Sequence, residues 1–540
     1  MRVLGINAVF HDSAAALVVD GQIVAAAEEE RFSRRKHGKR PVPFATWELP
    51  ESAIRWCLAE GRLDPADLDA VAYSYDPTLV DPDSGGLDPG WEQLRTLFAQ
   101  RAPQFLQTLL PTYHPDRFRF IRHHVAHAAS AGLVAGFGDC AVLVADGRGE
   151  ATSSLLGEYR DTKLDVLAAQ RLPHSLGLLY EDLTAYLGFE RSSDEYKVMA
   201  LASYGTPRHL DRLGELIHTD DGGFRTEPLD WPSLAPQRVP GQEFDDSHAD
   251  LAASVQAVVE EVLLELCGWL HDRTGNPNLA MAGGTALNCV ANTRLLAEGP
   301  FEQIWVQPAA GDSGTALGAA LTVAAEAGDQ IVPMTSAALG RDFSDAEIEQ
   351  TLRTARVPYQ RPDDLAEAVA ALLAGDRIVA WFGGRAEYGP RALGQRSLLA
   401  HPSKPENLER LNDIKGREQF RPVAPMVLAD RAAEIFDRGP LPSPYMLFVH
   451  DVKPHWRQKL AAVTHVDGTA RIQTVDDSQP DLAAMLRAFD RRTGVPVVVN
   501  TSLNTAGRPI VDSPRDALEL FGSAPVDALA IGPFLLRRRS

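Results

Sequence analysis

Two histidines four residues apart, His123 and His127, have the type and spacing that most directly suggest chemistry. On a helix this spacing places both imidazoles on one face, within reach of a single metal ion. The residue after His123 is His124, whereas the helix of zinc proteases needs glutamate there, which disfavours that route of hydrolysis. A pair of this kind also occurs on ordinary core or surface faces, so spacing alone leaves both interpretations open.

Two aspartates could complete a metal site. Asp146 ends the apolar run 143–145, and Asp312 lies in a glycine turn, residues 311–314, just ahead of a predicted helix. Strand ends and glycine turns project side chains into clefts. Two histidines with one or two aspartates, leaving open positions, suit iron, manganese or zinc.

A second candidate site is the turn Gly283-Gly284, which separates a predicted strand from a predicted helix. Its backbone amides could approach a phosphate at the helix N-terminus, although tight turns need glycine in any case. Lys197 lies close to another predicted helix and is one of only eight lysines among 53 basic residues. It is either a nucleotide contact or a solvated side chain.

The densest cationic cluster lies towards the C-terminus. It comprises Arg385, Arg391, Arg396, Lys415, Arg417 and Arg421. An acidic protein has little reason to concentrate positive charge among glycine, proline and aromatic residues unless an anion binds there, although ordinary surface arginines are the alternative. Asn500 and Ser502 follow a predicted buried strand, at the end where α/β proteins bind ligands. By contrast, the charge run of residues 28–40 has the pattern of a solvated face.

The elements that must position these residues predict an α/β fold. An order of three strands, a helix and further strands occurs twice, which is typical of the actin-like ATPase fold. The predicted strands are 3–7, 14–19, 22–27, 70–75, 118–121, 141–145, 153–159, 279–281, 378–382, 496–499 and 528–531, and the predicted helices are 51–60, 123–134, 251–273 and 287–297. A linker at 327–338 predicts domains 1–340 and 341–540. Residues 76–89 and 221–250 are predicted surface loops, the second being alternatively a lid or acceptor-binding loop.

The bulk composition excludes several classes of protein. A chain of 540 residues is too long for one core and suits two large domains. A net charge of −20 disfavours nucleic acid and anionic membrane as partners. The N-terminus lacks a secretory pattern, and no apolar run reaches the length of about 18 residues that spans a membrane, so we expect a cytoplasmic protein with reduced cysteines.

The motifs together resemble the NodU/CmcH family of carbamoyltransferases, which includes antibiotic-tailoring enzymes. The matching strings run in order from Phe10 to Val511: FHDSAAALVVDG, AAEEERFSRRKHG, HHVAHAAS, ADGRGE, SLGLLYEDLTAYLG, EYKVMALASYG, AGGTALNCVAN, GDSGTALGAA, GPRALGQRS, IKGREQFRPVAPMVL, THVDGTARIQTV and NTSLNTAGRPIV. Residues 76–117 and 219–250 match no such string, and Ala200 and Ala202 stand where the motif often has glycine and proline. These departures concern the acceptor pocket.

The resemblance implies an N-terminal actin-like (ASKHA) domain that binds metal and nucleotide, followed by a YrdC-like α/β domain. It implies that the YrdC-like domain converts carbamoyl phosphate and MgATP to carbamoyladenylate. The actin-like domain would then transfer the carbamoyl group to an alcohol with a divalent metal, for which iron is expected and manganese and zinc stay open. The expected product is an O-carbamoylated small molecule of the secondary-metabolite type.

The resemblance also implies roles for individual residues. The metal ligands would be His123, His127, Asp146 and Asp312. Carbamoyl phosphate would be bound by Arg391, Arg396, Lys415, Arg421, Asn500 and Ser502, with Lys415 and Arg421 catalytic. Nucleotide contacts in the transfer domain would be Lys197, Gly283, Gly284 and Asn288. His11 would be the base that takes the acceptor proton.

Two alternatives to this function stay open. A transferase of the tRNA threonylcarbamoyl type would share the fold and the metal, but the net charge and the cationic second domain speak against it. A regulator that binds nucleotide and metal without catalysis is the other alternative. The sequence leaves the acceptor and the choice between monomer and homodimer open.

Overall fold

A computed structural model describes residues 1–39, 48–80 and 89–538. The chain divides into two units, Met1–Ser336 and Ala337–Ser540. The sequence predicted this boundary at residue 340, inside the same connecting segment.

The N-terminal unit opens with a five-stranded sheet. Its first half contains β1 (Arg2–Asn7), β2 (Ala14–Val19), β3 (Gln22–Glu28), α1 (Glu29–Ser33), α2 (Glu51–Glu60), β4 (Ala70–Tyr73), α3 (Pro89–Leu109), β5 (Phe118–Phe120) and α4 (His123–Gly132). The strand order is β3-β2-β1-β4-β5, with β1 antiparallel to β2 and parallel to β4. The sheet and helices α2 and α3 enclose an apolar core.

The second half of this unit repeats the arrangement. It contains β6 (Cys140–Ala145), β7 (Thr152–Arg160), β8 (Lys163–Arg171), α5 (Leu176–Tyr186), α6 (Glu195–Ala202), α7 (Leu210–Leu216), β9 (Ile217–Asp220), β10 (Gly223–Thr226), α8 (Asp246–Thr274), β11 (Asn278–Ala282), α9 (Cys289–Glu298), β12 (Gln303–Val306) and α10 (Ser313–Glu326). The strand order β8-β7-β6-β11-β12 has the same topology as the first sheet, with β6 antiparallel to β7 and parallel to β11. The predicted duplication is therefore confirmed.

The C-terminal unit is a mixed α/β domain. It contains α11 (Asp345–Ala355), α12 (Leu365–Ala374), β13 (Val379–Phe382), β14 (Arg396–Ala400), α13 (Glu406–Lys415), β15 (Ala424–Leu428), α14 (Ala432–Ile435), β16 (Phe436–Asp437), β17 (His450–Val452), β18 (Thr469–Ala470), β19 (Gln473–Val475), α15 (Pro480–Thr493), β20 (Val497–Ser502), α16 (Pro514–Ser523), β21 (Ala528–Ile531) and β22 (Phe534–Arg537). Its main sheet has seven strands in the order β19-β15-β20-β14-β13-β21-β22. Buried aliphatic and aromatic side chains on both faces of this sheet form its core.

The structure differs from the sequence prediction mainly in the segments predicted as loops. Residues 81–88 of the predicted loop 76–89 lie outside the described residues. The segment that follows is the helix α3, and the loop predicted at 221–250 begins with β10 and ends inside α8. Strand β8 was missed because it is largely exposed and lacks a continuous apolar run.

Helix α10 packs against both α4 and β1 through small residues. A Cβ atom at Gly318 would overlap the carbonyl oxygen of Ala126 on α4, and one at Gly5 on β1 would overlap the carbonyl oxygen of Ala316. Glycine is required at both positions because backbone approaches backbone. Since α4 carries the histidine pair, this packing sets where the imidazoles lie.

We predict that Gly318→Ala lowers the stability of the N-terminal unit by about 1–3 kcal/mol, because the added methyl group pushes α10 from α4. Gly268→Ala is the matched control, since Gly268 lies inside helix α8 and a Cβ there would meet no neighbouring atom of the described residues within 4 Å. That substitution should instead stabilise the helix by about 0.5–1 kcal/mol. Urea unfolding followed by circular dichroism measures both, and equal effects of the two substitutions would contradict the packing account.

Candidate metal centre and anion site

Helix α4 carries the predicted histidine pair in its first two turns. His123 and His127 are fully buried, and their ring centroids lie 4.7 Å apart. Alanine dominates the rest of this helix. Because alanine favours helix and needs little space, a short helix can be buried on several sides.

Two carboxylates face the pair from other elements. Asp146 follows β6, and its Oδ2 lies 3.4 Å from Nε2 of His123 and 3.7 Å from Nε2 of His127. Asp312 precedes α10, and its Oδ1 lies 3.6 Å and 3.7 Å from the same two nitrogens. One candidate ligand atom from each residue lies within 4.8 Å of the other three. The structure thus brings the four predicted ligands together.

Three atoms of this histidine–aspartate cluster are unsatisfied in a way that fits a metal ion. Within the described part of the chain, Nε2 of His123, Nε2 of His127 and Oδ2 of Asp312 are buried without a hydrogen-bond partner. Burying such groups unpaired is costly. Two ligands each about 2.1 Å from a tetrahedral ion are about 3.4 Å apart, close to the observed nitrogen–oxygen distances. Iron, manganese and zinc all accept this set of two imidazoles and two carboxylates.

Neighbouring groups orient two of the four side chains, those of His123 and Asp146. The Nδ1 atom of His123 lies 3.1 Å from the carbonyl oxygen of Ser74, so Nδ1 donates and, in the neutral ring, Nε2 presents its lone pair towards the carboxylates. The hydroxyl of Thr315 donates to the hydroxyl of Ser74 at 2.7 Å. The amide of Gly284 donates to Oδ1 of Asp146 at 3.0 Å, which leaves Oδ2 facing the imidazoles.

The electrostatics keep Asp146 and Asp312 ionised, as metal ligands must be, whereas His123 favours the imidazolium form and would lose its Nε2 proton on binding a metal ion. Burial would raise the pKa of Asp146, but the imidazoles of His123 and His124 hold it well below its ordinary range. Burial opposes charge on His123, but the carboxylates of Asp146 and Asp312 outweigh it and hold the pKa of His123 well above its ordinary value. Burial lowers the pKa of His127. Ionised carboxylates beside a neutral imidazole are ready to bind a cation.

A third histidine reaches the same carboxylate. The Nε2 atom of His124 is buried 3.5 Å from Oδ2 of Asp146, and its Nδ1 lies 2.7 Å from the hydroxyl of Thr152. Sequence reasoning used His124 only to exclude a zinc protease. The third histidine of the string HHVAH was the signal that could have found it.

The turn after β1 places His11 beside this cluster. Its Nδ1 lies 2.9 Å from Oδ2 of Asp12, and its Nε2 lies 4.0 Å from Oδ2 of Asp312. Burial lowers the pKa of His11, but the charges of Asp312 and Asp12 outweigh it and raise the pKa to about 10. The structure therefore brings the predicted base next to the cluster of candidate metal ligands, with its Nε2 towards Asp312.

The predicted nucleotide contacts Gly283 and Asn288 both have structural roles in this unit. Gly283 has a φ of +94°, and a Cβ there would overlap the carbonyl oxygen of Ala145, so the turn needs glycine to approach β6. The Asn288 side chain instead caps α9 by accepting from the amide of Ala291 at 3.1 Å, and it donates to Gln256 at 2.9 Å. Asn288 thus has a capping role that the sequence did not reveal.

Lys197, the other predicted nucleotide contact, lies on α6. Its ammonium is 3.0 Å from Oδ2 of Asp194, the residue that precedes this helix. Part of its charge is therefore already balanced.

The charge run at residues 28–40 is not the solvated face that the sequence predicted. Glu29, Arg31 and Lys39 are 7%, 2% and 5% exposed, although Arg40 lies outside the described residues. The amide of Ala53 donates to Glu29 at 2.9 Å, and burial lowers the pKa of Lys39 to about 7. The prediction failed because a run of charges does not reveal that tertiary partners bury it.

In the C-terminal unit, Lys415 and Ser502 come together. Lys415 ends α13 and is buried, and its ammonium donates to the hydroxyl and the carbonyl oxygen of Ser502 at 2.9 and 2.6 Å. It also donates to the side chain of Asn504. A phosphate oxygen could replace one of these oxygen atoms as the acceptor of the Lys415 ammonium.

Arg396, a predicted carbamoyl phosphate contact, is held by backbone carbonyl groups in this structure. It is fully buried, and its guanidinium donates to five carbonyl oxygens, those of Arg341, Gly383, Gly384, Gln395 and Asp512. Its Cζ atom lies 3.7 Å from the ring centroid of Phe382. These contacts use every nitrogen of the guanidinium, so Arg396 ties the loop before β14 together.

The other members of the predicted anion site lie on neighbouring elements. The side-chain amide of Asn500 donates to the carbonyl oxygen of Ala392 at 3.1 Å. This hydrogen bond joins β20 to the loop that contains Arg391. Arg421 pairs with Glu418 at 3.4 Å. Arg471, which the sequence analysis did not single out, has a buried Nε without a hydrogen-bond partner in the described part of the chain.

Comparison with known proteins identifies the family. The family models for the carbamoyltransferase N-terminus and the carbamoyltransferase C-terminus match residues 2–82 with 96–321, and residues 370–538. Nodulation protein NolNO of Sinorhizobium fredii is 39% identical over 99% of this chain and 80% of its own length. Nodulation protein U of the same species is 42% identical over 50% of this chain and 48% of its own length.

The chain therefore belongs to the carbamoyltransferase family and is an enzyme of that class. The resemblance noted in the motifs is confirmed. Among solved structures, HypF of T. kodakarensis is similar over 61% of this chain and 49% of that chain, with 13% identity and a TM-score of 0.33. In residues 1–39, 48–80 and 89–538, no helix has both the length and the apolar character needed to cross a membrane.

We predict a graded loss of metal affinity across the three histidines. His123→Ala and His127→Ala each remove a facing nitrogen and should abolish stoichiometric binding, whereas His124→Ala, which removes a neighbour of Asp146, should weaken it about 10- to 100-fold. Titration of metal-free protein with Zn²⁺ under calorimetric detection measures this order. His218→Ala is the control, since His218 is exposed on β9. Equal affinity of all four variants would contradict the assignment.

Proposed function

We propose that this protein is an ATP-dependent O-carbamoyltransferase that carbamoylates a hydroxyl group of a small acceptor of the secondary-metabolite type. It would use carbamoyl phosphate and MgATP through a carbamoyladenylate intermediate. The observation that carries the proposal is the buried cluster of His123, His127, Asp146 and Asp312 in a chain whose family is that of the carbamoyltransferases.

The C-terminal unit would form the adenylate. Water and carbamoyl phosphate give carbamate and phosphate, and carbamate oxygen then attacks the α-phosphorus of ATP while pyrophosphate leaves. Lys415 supplies a buried ammonium and Ser502 a hydroxyl beside it. Arg391 and Arg421 add charge from the adjoining loops. Each charge-assisted hydrogen bond of this kind contributes about 1.5–3 kcal/mol.

The N-terminal unit would transfer the carbamoyl group. A bound divalent ion, iron in the first instance, supplies positive charge that stabilises negative charge developing on a carbonyl or phosphate oxygen. The Gly283-Gly284 turn would lie against the phosphate of the adenylate, although its two amides donate to the carbonyl oxygen of Ala310 and to Oδ1 of Asp146 in this structure. The acceptor oxygen bonds to the carbamoyl carbon, the bond from that carbon to the phosphate oxygen breaks, and AMP leaves.

His11 would take the proton of the acceptor hydroxyl. Its raised pKa of about 10 arises mainly from the facing charge of Asp312. A metal ion that balances this charge would lower the pKa of His11 towards neutral pH, as a general base needs. The net charge of −20 supports a small acceptor rather than a nucleic acid. Since both co-substrates are intracellular metabolites, the proposal also places the reaction in the cytoplasm.

We predict that Lys415→Ala and His127→Ala separate the two half-reactions. Loss of one charged contact of about 1.5–3 kcal/mol corresponds to about a 10- to 150-fold slower carbamoyl-phosphate-dependent release of pyrophosphate in Lys415→Ala. That variant should still transfer from supplied carbamoyladenylate. His127→Ala should release pyrophosphate normally and fail at transfer. Lys404→Ala is the matched control, because Lys404 is exposed in the same unit.

The acceptor can be found by incubating the metal-loaded enzyme with ATP, labelled carbamoyl phosphate and a panel of hexoses, amino sugars and aminocyclitols. A labelled product one carbamoyl group heavier identifies the alcohol. The same loss in both half-reactions for Lys415→Ala and His127→Ala would contradict the division of labour. Absence of pyrophosphate release by the metal-loaded protein with both ATP and carbamoyl phosphate would favour a non-catalytic nucleotide-binding protein.

A further inference from the structure

Asp12 lies between two imidazoles. Its Oδ2 is 2.9 Å from Nδ1 of His11, and its Oδ1 is 2.8 Å from Nδ1 of His37. The other ring nitrogen of His37, Nε2, lies 2.9 Å from the hydroxyl of Ser193. A continuous series of hydrogen bonds therefore runs from Ser193 through His37 and Asp12 to the proposed base.

The backbone at both ends of this carboxylate contact is unusual. Asp12 has a φ of +51° and His37 a φ of +60°, a region that L side chains rarely adopt. The side chain of Asn7 holds the first turn by donating to the carbonyl oxygens of His11 and Asp12. The carboxylate of Glu30 holds the second by accepting from the amide of His37 at 2.9 Å. Such conformations persist where surrounding contacts over-determine them, and they concentrate at functional sites.

The hydrogen bonds determine the tautomers. An ionised carboxylate only accepts, so Nδ1 of both histidines carries a proton. In the neutral form of each ring, Nε2 then has a lone pair. In His37 this lone pair accepts from the hydroxyl of Ser193, and in His11 it faces the metal cluster, where Asp312 is 4.0 Å away.

Ser193 reaches His37 from the other half of the N-terminal unit. It lies in the turn between α5 and α6, whereas His37 follows α1 beside the first sheet. The hydrogen bond between them joins the two halves where the predicted base lies. A movement between the halves would change the position of His37 and, through Asp12, the orientation of His11.

We propose that His37 is a positioning residue for carbamoyl transfer, which with Ser193 holds Asp12 so that Asp12 keeps His11 in the Nδ1-protonated tautomer. This inference rests on the proposed function. During transfer the acceptor proton moves to Nε2 of His11, while Asp12 and His37 keep their own protonation states. His37 would act only through Asp12 and His11.

The test compares His37→Asn with His37→Ala. Asparagine adopts a positive φ more readily than alanine and can place its amide nitrogen near the position of Nδ1, so it retains the donor to Asp12. We expect His37→Ala to lower kcat for transfer about 10- to 100-fold, because a misplaced base loses alignment. The acceptor KM, zinc content and pyrophosphate release should stay within about 3-fold of wild type, and His37→Asn should restore most of kcat. Ser193→Ala should lie between wild type and His37→Ala.

The kinetic probe is the alcohol that wild-type enzyme carbamoylates in the acceptor panel, with carbamoyladenylate supplied. A second measurement needs no acceptor: nitrogen-15 spectra of histidine-labelled, zinc-loaded protein should show His11 protonated at Nδ1 in wild type and a mixture of tautomers in His37→Ala. Unchanged kcat and an unchanged His11 tautomer in His37→Ala would overturn the inference, as would equal losses in His37→Asn and His37→Ala. If wild type carbamoylates no alcohol, the proposed function fails, whereas the spectra still decide the role of His37.

Discussion

The packing of two buried carboxylates against two buried imidazoles is the interaction on which the N-terminal unit depends. In the described part of the chain, Nε2 of His123 and Nε2 of His127 face Oδ1 of Asp312 and have no hydrogen-bond partner, and Oδ2 of Asp312 is also buried without one. Burying these groups without partners costs folding free energy, and a bound cation would remove that cost. The residues come from helix α4, the end of strand β6 and the start of helix α10. The duplicated fold therefore has to fix the positions of these three elements relative to one another.

Close contacts between backbone segments fix these relative positions. Glycine at position 318 lets α10 rest on α4, and glycine at position 283 lets the turn after β11 approach β6. The amide of Gly284 then fixes one oxygen of Asp146. The metal cluster, the glycine turn and the His11 turn are consequently parts of one structure, which is why the proposed transfer chemistry and the proposed role of His37 concern the same place.

Local patterns were sufficient to predict much of this. Apolar runs gave strands such as β2 and β21 and the helix α2 with their observed limits, because a buried run is readable from composition. The four cluster residues were also found, since their spacing and glycine neighbours are local features. Tertiary contacts could not be predicted from local patterns. The five carbonyl oxygens that bind Arg396 were not foreseen. Lys39 was predicted to be solvated, but it is buried. The environment of a charged side chain depends on distant segments, which no local pattern contains.

The central claim is that one divalent ion binds between α4, the end of β6 and the start of α10. Crystals of the iron-loaded protein, grown without oxygen and measured on both sides of the iron absorption edge, test this claim directly. The account predicts a single anomalous peak in the N-terminal unit, bonded to both imidazoles of His123 and His127 and to the carboxylates of Asp146 and Asp312. Ordered iron bound elsewhere, with this cluster closed by direct hydrogen bonds among its own side chains, would contradict it.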